Sequence, residues 1–234
     1  MDLMRKTLEE GLPQLGLELS SETCEKLCAF GAAVVKQNEV MNLTAITEPD
    51  QVAKLHLLDS LTVLKCADLK GKTLIDVGCG AGFPGVPTAI ACPEAKVTLL
   101  DSLAKRVNWL ESVLPELGVE NARCVTARAE EAVATRREQY DFATSRAVAR
   151  LNILLELTAP YVRVGGAVLA MKGAAAREEL AEAKNAIRKL GLQLEEVKDF
   201  PVDGTSHSVI VLRKVYPTPA QFPRRYAKIK QSPL

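Results

Sequence analysis

The chain has 234 residues, 47% of them hydrophobic and 25% charged, with a formal net charge of only +1 at pH 7. That composition excludes a disordered, fibrous or strongly polycationic protein, and the length suits one main α/β domain with a modest appendage. The opening Met1-Asp2-Leu3-Met4-Arg5-Lys6 carries no apolar signal core and no apolar run reaches 18 residues, so a cytoplasmic protein without a membrane span is expected. The six cysteines (Cys24, Cys28, Cys66, Cys79, Cys92, Cys124) include no C-x-x-C pair and sit mostly in apolar company. They read as reduced packing thiols, and no metal site is expected.

Residues 1–72 read as a helical cap. Apolar residues recur at helical spacing (Leu15, Leu17, Leu19, then Cys24, Leu27, Cys28, Gly31, Val34, Val35), with Ser20 or Ser21 as N-cap. Cys24 and Cys28 share a face directed to the core. Asn42-Leu43-Thr44 leads on to a further helix that carries His56-Leu57-Leu58-Asp59-Ser60.

From Thr73 strands and helices alternate, the mark of a parallel sheet covered on both faces. The first strand, Thr73 to Val77, runs into Gly78-Cys79-Gly80-Ala81-Gly82-Phe83-Pro84-Gly85, a turn that suits a nucleotide cofactor, and a helix from Pro84 to Cys92 follows. Gly80 to Gly85 literally fits the G-x-G-x-x-G of dinucleotide enzymes, which keeps a nicotinamide-dependent oxidoreductase as an alternative. Asp76 favours a cationic amino-acid cofactor instead, since it would repel a pyrophosphate but accept a hydrogen bond from an ammonium group. Asp101 ends the second strand, Lys96 to Asp101, where an acid can take both ribose hydroxyls of an adenosine or cap the next helix.

Further strands are expected at Ala122 to Thr126, Asp141 to Ser145 and Gly166 to Met171. Arg146 follows the fourth, placed to stack on a base, bond a guanine edge or hold cofactor. Lys172 ends the fifth, either solvated or in contact with a phosphate. The runs Leu192 to Phe200 and His207 to Val215 are joined by residues 201–206 alone, too few for a crossover helix, so they pair antiparallel. A parallel sheet closed by an antiparallel hairpin, over 73–215, is the class I methyltransferase arrangement, with S-adenosylmethionine as cofactor. The fourth strand is not followed by Asn/Asp-Pro-Pro-Tyr/Phe, no Pro-Cys pair occurs and no lysine-aspartate-lysine-glutamate set fits. Those absences leave an already nucleophilic ring nitrogen such as guanine N7 among the possible acceptors.

From Arg213 to the end stand six basic residues and no acids, whereas the preceding part holds 24 basic against 29 acidic. Residues 216–234 therefore read as a basic arm, with aromatic residues interleaved and four prolines discouraging regular structure. Lys172, Arg224, Arg225, Lys228 and Lys230 are the expected RNA contacts.

Several blocks in order resemble the bacterial small-subunit ribosomal RNA guanine-N7 methyltransferase family, formerly called glucose-inhibited division protein B: Asn42-Leu43-Thr44, His56 to Leu61, Asp76 to Gly85, Leu99 to Arg106, Arg128-Ala129-Glu130-Glu131, Ser145-Arg146-Ala147, Met171-Lys172-Gly173 and Pro223 to Tyr226. Cys79 stands where many relatives carry serine or threonine, at a position that uses backbone. The resemblance implies methyl transfer from S-adenosylmethionine to N7 of one guanine in the decoding-region loop of 16S rRNA. It places Gly78, Gly80, Gly82 and Phe83 on the methionine side, Asp101, Ser102 and Leu103 around the ribose, Ala129 and Glu130 beside the adenine, and Arg146 near the methyl group. His56 and Asp59 either fold over the mouth or serve the helix. A non-catalytic RNA-binding assembly factor is the other alternative, and nothing demands more than a monomer.

Overall fold

Leu74, Ile75 and Val77 are buried on both faces of their strand, as a strand sandwiched between helical layers requires. The computed structural model describes residues 2–202 and 204–234. Its strands are β1 (Thr73–Val77), β2 (Lys96–Asp101), β3 (Ala122–Thr126), β4 (Tyr140–Arg146), β5 (Val162–Lys172), β6 (Leu192–Val202) and β7 (Thr205–Lys214). They form one sheet in the order β3-β2-β1-β4-β5-β7-β6. The first five are parallel, and β7 inserts antiparallel between β5 and β6. This is the class I methyltransferase sheet. The chain reverses its direction of growth between β1 and β4, and in open α/β sheets a ligand crevice opens at that point.

One face of the sheet packs Leu74, Val97 and Leu99 with the N-terminal helices and the Gly85–Ala91 and Ala104–Glu116 helices. The other packs Ile75, Val77 and Leu100 with the Ala129–Arg136 and Leu151–Thr158 helices. The N-terminal region thus shares a core with the sheet. Its Ser21–Met41 helix starts at Ser20, whose Oγ accepts from Thr23 N at 3.1 Å, and both Cys24 and Cys28 are buried. The helical stretch that carries His56 is composite: an α turn Pro49–Val52, a π-helical segment Ala53–Leu58, an α turn Asp59–Leu61 and a 3-10 end Thr62–Lys65.

The β6–β7 connection is tighter than the expected 201–206 linker, because pairing continues to Val202 opposite Thr205. Pro201 is tolerated there because β6 is an edge strand; Asp203, in the expected turn, lies outside the described residues.

The tail corrects the expectation of an unstructured basic arm. Phe222 and Ile229 are buried, a helix forms at Tyr226–Gln231, and Arg137 donates to the carbonyls of Phe222 and Thr218. Arg224 is committed to Glu156, which is 0% exposed in its side chain and accepts from Arg224 N, Nε and Nη2 at 2.8, 2.8 and 2.6 Å. Apolar anchors and a buried acid on the Leu151–Thr158 helix override the prolines. Removing one partner strands the other charge, so Arg224→Ala should lower the free energy of unfolding by about 3–5 kcal/mol, whereas replacing both residues by methionine should cost far less. Urea titration of the three proteins checks this; an unaltered Arg224→Ala curve would contradict the assignment.

Candidate active site

A cavity of about 560 Å³ lies over the carboxyl ends of β1, β2 and β4, within the usual range of small-molecule sites. Its floor is the glycine turn. Gly78 and Gly80 have φ of 75° and 56° and Gly82 has 96°, left-handed values open to glycine without strain. The turn is pinned from β2: Gly78 N and Cys79 N donate to Leu100 O at 2.8 and 3.1 Å, and Gly80 N to Asp101 Oδ2 at 2.9 Å. A Cβ on Gly80 would have no atom nearer than 3.9 Å, so the space above it belongs to the cavity. Gly78, Gly80 and Phe83 line that cavity.

Gly82 does not. A Cβ there would come within 2.9 Å of Phe30, Val86 and Leu110, so its role is close packing of the turn onto the core. Asp76 is a second correction, because it lies beneath the turn, fully buried, and does not reach the cavity. Its Oδ2 accepts from Gly85 N at 2.8 Å, and Oδ1 has no partner among the described residues. A buried carboxylate with one oxygen unsatisfied is disfavoured as an ion; burial raises Asp76 to about 7, with the Gly85 N–H and the Arg146 charge opposing.

Asp101 stays in the cavity wall, 7% exposed, with Oδ1 accepting from Leu103 N at 2.9 Å. Each oxygen keeps a second lone pair, so the carboxylate can brace the turn and still accept from ribose hydroxyls. It does not cap the following helix, which begins at Ala104 with Leu103 as N-cap. Ser102, half-exposed Leu103, Ala129 and Glu130 complete that end. The fit to S-adenosylmethionine is chemical: an acid beside a possible diol site, exposed apolar surface for a purine, and open backbone at the glycine turn.

At the opposite end Arg146 leaves β4. Its Nη1 donates to Asp59 Oδ2 and Leu55 O, both at 2.8 Å, its Nη2 lies 3.2 Å from His56 Nδ1, and the guanidinium sits 5.1 Å from the Phe83 ring centre. His56 Nδ1 also lies 3.1 Å from Leu55 O, and its Nε2 lies 2.8 Å from Thr44 Oγ1, so both ring nitrogens are engaged by protein groups. His56 stacks on Phe83 at 4.7 Å and lines the cavity; burial and the neighbouring Arg146 charge lower it to about 4, so it is neutral at pH 7. Asp59 also accepts from His207 Nδ1 at 2.8 Å. Burial pushes its carboxyl up, but His207 and Arg146 outweigh that and hold it below the ordinary value. His207 was invisible to sequence reasoning: 148 residues separate it from Asp59, and only the placement of β7 brings them together. Arg106, Arg128 and Tyr226 also line the cavity; Arg106 and Arg128 stand in motif blocks but carried no expected role.

Among the expected RNA contacts, Lys172 is corrected. Its side chain is 7% exposed, pairs with Glu179 at 2.8 Å and donates to Ala149 O, so it holds the end of β5 to the next helix. Arg224 is likewise engaged, by Glu156. Arg225, Lys228 and Lys230 are exposed. Arg225 and Lys230 border a second cavity, about 590 Å³, that shares Arg128, Glu130 and Tyr226 with the first.

A family model described as rRNA small subunit methyltransferase G matches residues 23–208. The chain belongs to that family. It is 42% identical over 232 residues, 97% of each chain, to the ribosomal RNA small subunit methyltransferase G of Alkaliphilus metalliredigens, and 40% identical over 238 residues to that of Clostridium perfringens, covering 100% of this chain and 98% of the relative. Solved structures agree on the fold: a SAM-dependent methyltransferase from Aquifex aeolicus (TM-score 0.54, 20% identity, 70% of this chain and 93% of that one) and a geranyl diphosphate methyltransferase in complex with SAM (TM-score 0.56, 17% identity, 74% and 92%). Family members are S-adenosylmethionine-dependent methyltransferases. No helix among the described residues is long and apolar enough to cross a membrane.

Two outcomes test these assignments. Asp101→Ala should weaken S-adenosylhomocysteine binding by about 1.5–3 kcal/mol, tenfold or more by titration calorimetry. For Asp76, a folded value of about 7 against 3.8 unfolded means that the folded state holds the extra proton between those limits and loses stability as pH rises through them. Asp76→Asn should remove this slope, so its stability by urea titration gains on the wild type between pH 5 and pH 8 by at most about 3 kcal/mol; a pH-independent difference would refute the shift.

Proposed function

We propose that this enzyme transfers the methyl group of S-adenosylmethionine to N7 of a guanine in the decoding-region loop of 16S rRNA, acting on the small ribosomal subunit or its RNA in the cytoplasm. Family membership supports the rRNA substrate. One observation carries the choice of acceptor: the titratable side chains at the Arg146 end of the cleft are already committed. His56 is neutral, with both ring nitrogens engaged by Arg146, Leu55 O and Thr44, and Asp59 is divided between Arg146 and His207. None is left as a general base, which suits a nitrogen with a free lone pair and no proton to lose.

S-adenosylmethionine supplies an electrophilic methyl group on a sulfonium. The chain's part is to position and exclude water. Asp101 and the glycine turn hold the cofactor's adenosine and amino-acid parts, Ala129 and Glu130 flank the adenine, and Phe83, His56 and Arg146 wall the acceptor side. Residues 1–72 act as the cap that brings Thr44, His56 and Asp59 to the mouth. Arg225, Lys228 and Lys230, with Arg128, provide the RNA-facing charge.

The decisive experiment is transfer of labelled methyl to small subunits lacking the modification, with nucleoside mass spectrometry of the product. Label recovered as 7-methylguanosine is expected; cofactor binding without transfer to subunits or free 16S rRNA would favour a non-catalytic assembly factor. Replacing Arg225 and Lys230 by alanine should flatten the salt dependence of RNA binding by roughly 1.5–2 in log–log slope.

A further inference from the structure

We propose that Asp59 and His207 are positioning residues for methyl transfer, holding the Arg146 guanidinium at the acceptor edge of the cleft. The proposal rests on the function argued above. Arg146 projects from the carboxyl end of β4 at the point where the sheet reverses its order, beside the glycine turn. A long, rotamer-rich side chain there needs fixing before it can orient anything.

The fixing is unusual in how it divides the carboxylate. A solitary buried Asp–Arg pair is best satisfied by both oxygens on one guanidinium edge. Asp59, 5% exposed in its side chain, instead gives Oδ2 to Arg146 and Oδ1 to His207, each at 2.8 Å. Arg146 Nε therefore has no partner among the described residues, although the side chain lines the cleft and is only 18% exposed. An open donor on an otherwise clamped guanidinium that lines the cleft is free to meet an incoming acceptor. His56 restrains the other side through Nη2, and Phe83 packs against both the imidazole and the guanidinium. His207 anchors the arrangement from β7, where it pairs with Phe200; the clamp thus spans cap, β4 and the terminal hairpin.

The test is steady-state transfer to unmodified small subunits by wild type, His207→Ala and His207→Asn, each also in an Arg146→Lys background. His207→Ala should lower kcat about tenfold while S-adenosylhomocysteine affinity stays near wild type; the urea midpoint falls because Asp59 Oδ1 loses its partner, but the protein stays folded under assay conditions. Asn can return an N–H to the Nδ1 position and should restore kcat to within about threefold. With Arg146→Lys present, His207→Ala should cost almost nothing further, because both changes act through one guanidinium. Unchanged kcat in His207→Ala, a loss that Asn does not relieve, or a loss fully additive with Arg146→Lys would each overturn the proposal. Absence of transfer by the wild type would sink the function itself, and this proposal with it.

Discussion

The ion pair between Arg146 and Asp59 is the constraint on which the site depends. It joins the end of β4 to the helical cap across 87 residues of sequence, and both partners are largely withdrawn from water. Such pairs contribute little net stability, since desolvation offsets the attraction, but breaking one leaves a buried charge without a partner. The consequence is specificity of placement. Cap and sheet meet in the register that puts His56 over Phe83, and π-helical winding at Ala53–Leu58 accompanies that placement; such windings gather at functional sites.

The opposite end of the cleft is built by backbone. Two acids that look alike in sequence, each at the tip of a strand, divide the labour by depth. Asp76 is sealed beneath the turn and holds Gly85, while Asp101 stays in the wall, bracing Gly80 with one oxygen and Leu103 with the other. Pinned from β2 and packed on Phe30 and Leu110 through Gly82, the turn is held in place without a ligand. Preorganisation of this kind reduces the ordering cost of binding.

Charge counting singled out the basic end of the chain but not which of the cations are free. Arg224 and Lys172 are as basic as Arg225 and Lys230, yet Glu156 and Glu179 claim them. A cation's availability depends on which acids fold beside it. Lys214 shows the extreme: fully buried, it bonds Ala159 O and Thr218 Oγ1, which fastens the start of the tail, and burial lowers it to about 8.

The amino-acid order by itself determined the sheet. Alternating apolar runs, the glycine turn and a terminal connection too short for a helix each follow from local geometry, and together they specify five parallel strands closed by a hairpin. The position of the cavity came with them, since Gly80 and Asp101 both line it where two strands end. Only the tertiary structure decided that Asp76 and Gly82 pack beneath the turn, outside the cavity lining, that Arg224 is held by Glu156, and that His207 meets Asp59. Those assignments turn on burial and on contacts across tens to hundreds of residues. Side-chain pairing at that range leaves no periodicity or spacing in the sequence, because it is set by how the layers pack once the strands have already found their order.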